Sequence, residues 1–157
     1  MRISIGNDHA GVEYKNYIKE YLLAKDIEVN NYGTDSLDSV DYPDFAHPVS
    51  NDVNEEKSDL GILICGSGNG VCMTANKYKN VRAALCWNKE LALLSKSHNN
   101  ANIACIPARF IEKEEALEII KTFISQEFEG GMGIKNYKDI KPGDKIEVFD
   151  RKEEAQV

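Results

Sequence analysis

Short apolar runs alternate with helix-like stripes along most of this chain of 157 residues. The runs that have the length and composition of buried strands cover residues 2–6, 27–29, 60–64, 82–86 and 103–106. Strand–helix alternation of this kind predicts an α/β fold, in which a doubly wound, five-stranded parallel sheet has helices on both faces. Because the composition changes after Phe128, we expect one domain over residues 1–134 and a polar tail over residues 135–157.

The bulk composition argues against two classes of partner. A net charge of −7 leaves no general surplus of the basic residues that a nucleic-acid surface needs. No apolar run approaches the ~20 residues that cross a bilayer, and the N-terminus lacks the pattern of a signal peptide. We therefore expect a cytoplasmic protein that binds neither nucleic acid nor membrane. In that compartment Cys86 and Cys105, which lie inside apolar runs, are expected to be buried hydrophobic residues rather than disulfide partners.

The third strand-like run leads directly into Cys65 and then into a glycine loop, residues 66–70, in which Gly66, Gly68 and Gly70 alternate with other residues. This is not a dinucleotide fingerprint, which follows the first strand and has a different spacing. Alternating glycines indicate that a ligand approaches bare backbone N–H groups closely. We expect the loop and the helix N-terminus after it to stabilise an anion. The same groups should lower the pKa of Cys65 towards neutrality, as general-base work requires.

Asp8 and His9 follow the first strand, at the edge where open parallel sheets place their ligand sites. Asp8 could simply cap the next helix, but this position favours a role in a site. The polar segment 98–100 makes His98 a weaker candidate for a second acid or base, and His47, in an amphipathic helix, is expected to be structural or exposed. No group of histidines, cysteines and carboxylates has the spacing of a zinc or iron site, so we expect a metal-free mechanism without a cofactor.

Many short motifs together resemble the ribose-5-phosphate isomerase B family, which also includes galactose-6-phosphate and allose-6-phosphate isomerases. They are Asn7-Asp8-His9-Ala10-Gly11, Asp41-Tyr42-Pro43, Ile64-Cys65-Gly66-Ser67-Gly68-Asn69-Gly70, Ala75-Asn76-Lys77, Val81-Arg82-Ala83, Ser97-His98-Asn99, Ala101-Asn102 and Ala108-Arg109. The resemblance runs from the first residue to about Gly131. It implies a Rossmann-like homodimer without metal, with active sites at the subunit interface, that interconverts aldose and ketose phosphates.

The resemblance also implies a role for each matching residue. Cys65 would be the base that moves a proton between C1 and C2 of the sugar through an enediolate. Ser67 and the N–H groups of the glycine loop would hold the enediolate oxygen, and His98 would help to open the furanose ring with Asp8 at the ring oxygen. Tyr42 and Asn99 would orient the sugar, while His9 and Arg109 contact the phosphate. The full set of implied substrate-binding residues is His9, Tyr42, Gly66, Gly68, Asn69, Gly70, Asn99, Arg109 and Lys135.

Two departures from the family pattern bear on the mechanism and the substrate. Some members use a glutamate just after the glycine loop as the base, and with Val71 at that position this chain resembles the cysteine type. Near the C-terminus the family typically has two arginines that grip the phosphate. Met132 and Asn136 stand in their places, and the neighbouring Lys135 is a poorer bidentate ligand for phosphate.

Ribose 5-phosphate and ribulose 5-phosphate are the expected substrates. The alternatives are a hexose phosphate, an unphosphorylated sugar, or a non-catalytic sugar-binding module with the family fold. The sequence leaves open whether the protein is a dimer or a tetramer. It also leaves open whether the tail of residues 135–157 crosses to a partner subunit.

Overall fold

A computed structural model describes residues 1–129 and contains five strands that alternate with five helices. The strands are β1 (Arg2–Asn7), β2 (Glu28–Asn31), β3 (Leu60–Cys65), β4 (Ala83–Leu85) and β5 (Ile103–Pro107). The helices are α1 (Val12–Ala24), α2 (Pro43–Asn54), α3 (Asn69–Ala75), α4 (Lys89–Ser97) and α5 (Lys113–Ser125), and a 3₁₀ turn, His9–Gly11, precedes α1. The predicted tail of residues 135–157 lies outside the described residues.

All neighbouring strands pair in parallel, in the order β2-β1-β3-β5-β4, which confirms the predicted sheet. Helices α1, α4 and α5 cover one face of the sheet, where Ile18 and Phe123 are fully buried. Helices α2 and α3 cover the other face with Val49 and Val71. Strands β3 and β5 are buried along their whole length, as central strands with helices on both faces must be.

One side chain explains why two elements are shorter than the sequence predicts. The sequence predicts a helix over residues 70–78 after the glycine loop, but α3 ends at Ala75 and the amide of Asn76 turns towards β4. There Nδ2 of Asn76 donates to the carbonyl of Ala83 at 2.9 Å, and its Oδ1 accepts from the N–H of Ala83 at 2.9 Å. This side chain therefore occupies the open side of edge strand β4 and fixes its start at Ala83 rather than at Arg82.

The topology brings the carboxyl ends of β1, β3 and β5 together at one edge of the sheet. Beyond β1, the N–H of Asp8 donates to the carbonyl of Ile64 at 3.1 Å. Beyond β5, the N–H of Ala108 donates to the carbonyl of Cys65 at 2.9 Å. The sheet thus places Asp8, Cys65 and the residues after β5 side by side, where open α/β sheets bind ligands. No helix within residues 1–129 combines the length and apolar character needed to cross a membrane.

Candidate active site

A pocket of about 400 Å³ opens at this carboxyl edge of the sheet, and eight of the predicted site residues line it. Its lining consists of Asp8, His9, Tyr42, Cys65, Gly66, Ser67, Gly70, Arg109 and Phe110. The residues come from the ends of three neighbouring strands and from the segment before α2, so only the folded sheet brings them together. The pocket combines a thiol, a carboxylate, an imidazole and a guanidinium, which suits proton transfer on a small anionic molecule.

The thiol of Cys65 is nearly buried at the end of β3, with 8% of the residue exposed. Burial raises the pKa of this thiol, and a hydrogen bond with the carboxylate of Asp8 and its negative charge raise it further. Backbone N–H groups of Gly68 and Ser67 lower the pKa, as expected for the glycine loop, but they are outweighed. The prediction that the pKa of Cys65 falls towards neutrality is therefore wrong.

The glycine loop has the backbone that its sequence requires. Gly68 has φ of +72°, and a Cβ atom there would lie 2.5 Å from Cδ1 of Leu85. A Cβ atom on Gly70 would lie 2.5 Å from Cζ of Tyr42, because the phenol ring packs directly on this glycine. The guanidinium of Arg109 lies over Gly66, about 3.2 Å from the place of a Cβ atom. Alternating glycines thus let a phenol and a guanidinium approach the loop backbone.

Asp8 and His9 are both held in place by backbone groups. Oδ1 of Asp8 accepts from the N–H of Ala10 at 2.9 Å, so the predicted capping role and the place in the pocket hold at the same time. The N–H of Val40 donates to Nδ1 of His9 at 3.3 Å. Since Nδ1 accepts this bond, a neutral imidazole has its proton on Nε2, ready to donate to an anion in the pocket.

His98 and Asn99 do not reach the pocket of their own chain. His98 ends α4, and the crossover from β4 to β5 places this end at the amino edge of the sheet, opposite to Cys65. Asn99 lines a different pocket there, and its carbonyl accepts from Nε of Arg82 at 2.5 Å. Lys135 is among the residues that the structure does not describe.

Sequence reasoning missed an apolar groove of about 610 Å³ beside the pocket. Ser67 and Asn69 of the glycine loop form one side of it, and the exposed rings of Trp87 and Phe110 form another. The sequence contained a signal for this groove, because Trp87 follows the end of β4 and Phe110 follows the end of β5. An apolar side chain at such a position has no core to enter and stays at the surface.

Cys86, Cys105 and His47 match their structural interpretation. Cys86 and Cys105 are completely buried, as predicted. His47 is exposed, and its Nδ1 lies 2.9 Å from the hydroxyl of Tyr78, in agreement with the predicted structural or surface role. Among residues 1–129, no cluster of three or more His, Cys, Asp or Glu side chains could hold a metal ion.

Comparison with known proteins identifies a family. Residues 3–140 match the family described as Ribose/Galactose Isomerase. A solved structure of a ribose 5-phosphate isomerase from Thermotoga maritima is 48% identical, with a TM-score of 0.80, and the match covers 83% of this chain and 90% of that one. The ribose-5-phosphate isomerase B of Mycoplasma genitalium, solved with bound ribulose-5-phosphate, is 44% identical with a TM-score of 0.80 over 83% and 87% of the two chains. A D-erythrulose-4-phosphate isomerase of Pectobacterium atrosepticum is 39% identical over 83% of this chain and 87% of that protein.

Proposed function

The chain belongs to the ribose/galactose isomerase family and is a sugar-phosphate isomerase, and we propose that it interconverts ribose 5-phosphate and ribulose 5-phosphate. The observation that carries this proposal is the pocket in which the thiol of Cys65 meets both the carboxylate of Asp8 and the glycine loop. A base beside a set of N–H donors is the arrangement that a proton transfer through an enediolate needs.

In the proposed reaction the thiolate of Cys65 removes the proton from C2 of the open-chain aldose. The electrons of the C–H bond form the C1–C2 double bond, and the carbonyl oxygen on C1 becomes the enediolate oxygen. Ser67 and the loop N–H groups stabilise this charge. Cys65 then returns its proton to C1, while the hydroxyl proton on O2 moves to O1, which leaves a ketone at C2. No metal or other cofactor takes part in these steps.

The raised pKa of Cys65 has a direct consequence for this mechanism. Burial and the neighbouring carboxylate of Asp8 favour the protonated thiol, so less of the active thiolate is present at a given pH than for an unperturbed cysteine. We infer that kcat/KM rises with pH as the thiol ionises. The loop N–H groups are the main feature that opposes the effect of burial on the pKa of the thiol. The phosphate would bind to the Nε2–H group of His9 and to Arg109, which line the same pocket.

We propose that a second copy of the chain completes the site. One chain provides base, loop and phosphate ligands, whereas His98 and Asn99 lie at the far edge of its sheet. A partner could present these two residues over the pocket, so that His98 donates a proton to the ring oxygen as the bond from C1 to that oxygen breaks, while the anomeric hydroxyl loses its proton to solvent and becomes the C1 carbonyl. The exposed rings of Trp87 and Phe110, next to the pocket, offer an apolar surface for such a partner.

Hybrid dimers test the arrangement. Cys65→Ala and His98→Asn should each be inactive alone, but a hybrid of the two has one site with both wild-type residues. Random pairing of equal amounts should restore roughly a quarter of the wild-type sites, as symmetry requires. Differently tagged chains, co-expressed and purified through both tags, give the hybrid alone, in which about half of the sites should be active. A purified hybrid without activity would mean that the two residues do not act across an interface.

A shorter substrate is the second candidate, because one relative is named a D-erythrulose-4-phosphate isomerase. The same pocket could serve a hexose phosphate or an unphosphorylated sugar, since Met132 and Asn136 lack the charge of the expected arginines. Initial rates with ribulose 5-phosphate, D-erythrulose 4-phosphate, a hexulose 6-phosphate and free ribulose decide among them. We expect the highest kcat/KM for ribulose 5-phosphate, and a preference for any of the others would overturn the assignment.

A further inference from the structure

Lys15 is among the largest fully buried side chains of residues 1–129, although lysine is rarely buried. It lies on the inner face of α1, together with Ile18 and Leu22. Its Nζ atom donates to the carbonyl of Thr34 at 3.0 Å and forms an ion pair with the carboxylate of Asp35. The hydrogen bond and charge of Lys15 lower the pKa of Asp35.

The carbonyl of Thr34 accepts a second bond, which links it to the active site. Nδ2 of Asn7 donates to this carbonyl at 3.1 Å and to the carbonyl of Asp8 at 2.8 Å. Gly33 permits the close approach, because a Cβ atom there would lie 1.8 Å from Oδ1 of Asn7. Lys15 and Asn7 therefore fix one backbone carbonyl from two sides, directly behind Asp8.

The segment that starts at this carbonyl leads to two residues of the pocket. Side-chain bonds to backbone N–H groups form turns at residues 34–36 and 36–38. The N–H of Val40 then donates to Nδ1 of His9, and Tyr42 packs on Gly70 of the glycine loop. The position of the segment thus determines both the tautomer of His9 and the place of the Tyr42 ring.

We propose that Lys15 is a positioning residue for substrate binding, which anchors residues 34–42 so that His9 and Tyr42 face the phosphate and the sugar. The proposal rests on the proposed function for its kinetic consequences, but not for its structural ones. Lys15 touches no reacting atom; it acts through Thr34 and Asp35 on the segment that touches His9.

The stability of the fold does not by itself explain why position 15 is a lysine. Removing an ammonium group from water is costly, and its partner Asp35 keeps 77% of its side chain exposed, so the ion pair is weakened by solvent. An apolar residue at the same position would continue the buried stripe of Ile18 and Leu22 without that cost. What a lysine does here, and an apolar residue could not do, is hold the carbonyl of Thr34 in place by a hydrogen bond.

Three variants test the proposal. Lys15→Met keeps an unbranched side chain that is one atom shorter and removes its charge, and Asp35→Asn removes the ion pair at an exposed position. Ile18→Val is the matched control, because it removes one methyl group from the same buried face of α1. For each, kcat and KM with ribulose 5-phosphate, the melting temperature, and hydrogen–deuterium exchange of the peptide that covers residues 34–42 are measured.

We expect Lys15→Met to raise KM about tenfold with kcat within about threefold of wild type, the signature of lost binding rather than lost chemistry. Asp35→Asn should raise KM by a smaller factor. In both variants the backbone amides of residues 34–42 should exchange hydrogen for deuterium faster than in the wild type. Ile18→Val should lower the melting temperature while KM and the exchange of this segment stay unchanged.

Unchanged exchange of residues 34–42 in Lys15→Met would overturn the proposal whatever the substrate proves to be. So would a KM equal to that of wild type in a variant that loosens the segment. If Lys15→Met does not fold, Asp35→Asn decides by the same two measurements. Absence of turnover of ribulose 5-phosphate by the wild-type enzyme refutes the proposed substrate instead, and the exchange measurement still decides the role of Lys15.

Discussion

Alanine substitutions of Cys65 and Cys105 should have similar effects on the stability of the fold but very different effects on catalysis. Both lie in the core under α2 and α3, Cys65 with 8% of its surface exposed and Cys105 with none. Replacing either by alanine removes one sulfur atom, which is comparable to one buried methylene and costs about 1 kcal/mol plus a cavity contribution. We therefore expect Cys105→Ala to lose about 1–2 kcal/mol of unfolding free energy and Cys65→Ala to lose no more than that.

The effects on turnover should have the opposite order. Removing a positioned base costs about 10²–10⁴ in rate, which corresponds to roughly 3–5 kcal/mol of activation free energy. Cys65→Ala should lose activity on this scale, whereas Cys105→Ala keeps most of it. Cys65→Ser separates chemistry from volume, because a hydroxyl of similar size is too weakly acidic to supply the base, and it should be as inactive as the alanine variant.

The assay is the initial rate of isomerisation at several pH values, together with urea unfolding of each variant. Saturating substrate removes effects on KM, and unfolding confirms that the protein is native under the assay conditions. A folded Cys65→Ala or Cys65→Ser variant within tenfold of the wild-type rate would refute the assignment of Cys65 as the base. Loss of turnover in a stable Cys105→Ala variant would refute the argument that only the cysteine at the end of β3 acts.

Two further substitutions probe the pocket. Asp8→Asn removes the charge that raises the pKa of Cys65, so alkylation of this thiol by iodoacetamide should extend to lower pH while turnover falls; a shift to higher pH would contradict the reasoning. Gly70→Ala introduces a Cβ atom 2.5 Å from Cζ of Tyr42. Because Tyr42 is partly exposed and can move outwards, we expect less than about 2 kcal/mol of lost stability but a raised KM, and an unchanged KM would show that the ring does not orient the sugar.

The sequence predicted the sheet well because the signals for a parallel α/β fold are local. Each strand is a short apolar run, and the segment between two strands has the apolar spacing of a helix. Element ends were less well predicted, since side-chain bonds between consecutive elements, such as those of Asn76 to Ala83, decide them. The glycine loop and the two residues after β1 were also predictable, because the carboxyl ends of neighbouring parallel strands must meet at one edge.

The pKa of Cys65 could not be predicted from the motif. The loop N–H groups act on the thiol in the expected direction, but burial and the charge of Asp8 depend on how β1 lies against β3. That register places Asp8 next to Cys65, although the two are far apart in sequence. An electrostatic prediction from one loop omitted the charge supplied by the neighbouring strand.

The location of His98, in contrast, follows from topology that the sequence already provided. A crossover helix between two parallel strands ends where the second strand begins, so a residue that ends α4 must lie at the amino edge. The pattern on α1 is similar, because Lys15 has the spacing of the buried residues Ile18 and Leu22 and so lies on the apolar face of its helix. A charge at such a position needs a partner from another segment, and here that partner is the segment that reaches His9. Topology thus separates His98 from the pocket of its own chain, and the buried charge of Lys15 points to the segment that contacts His9.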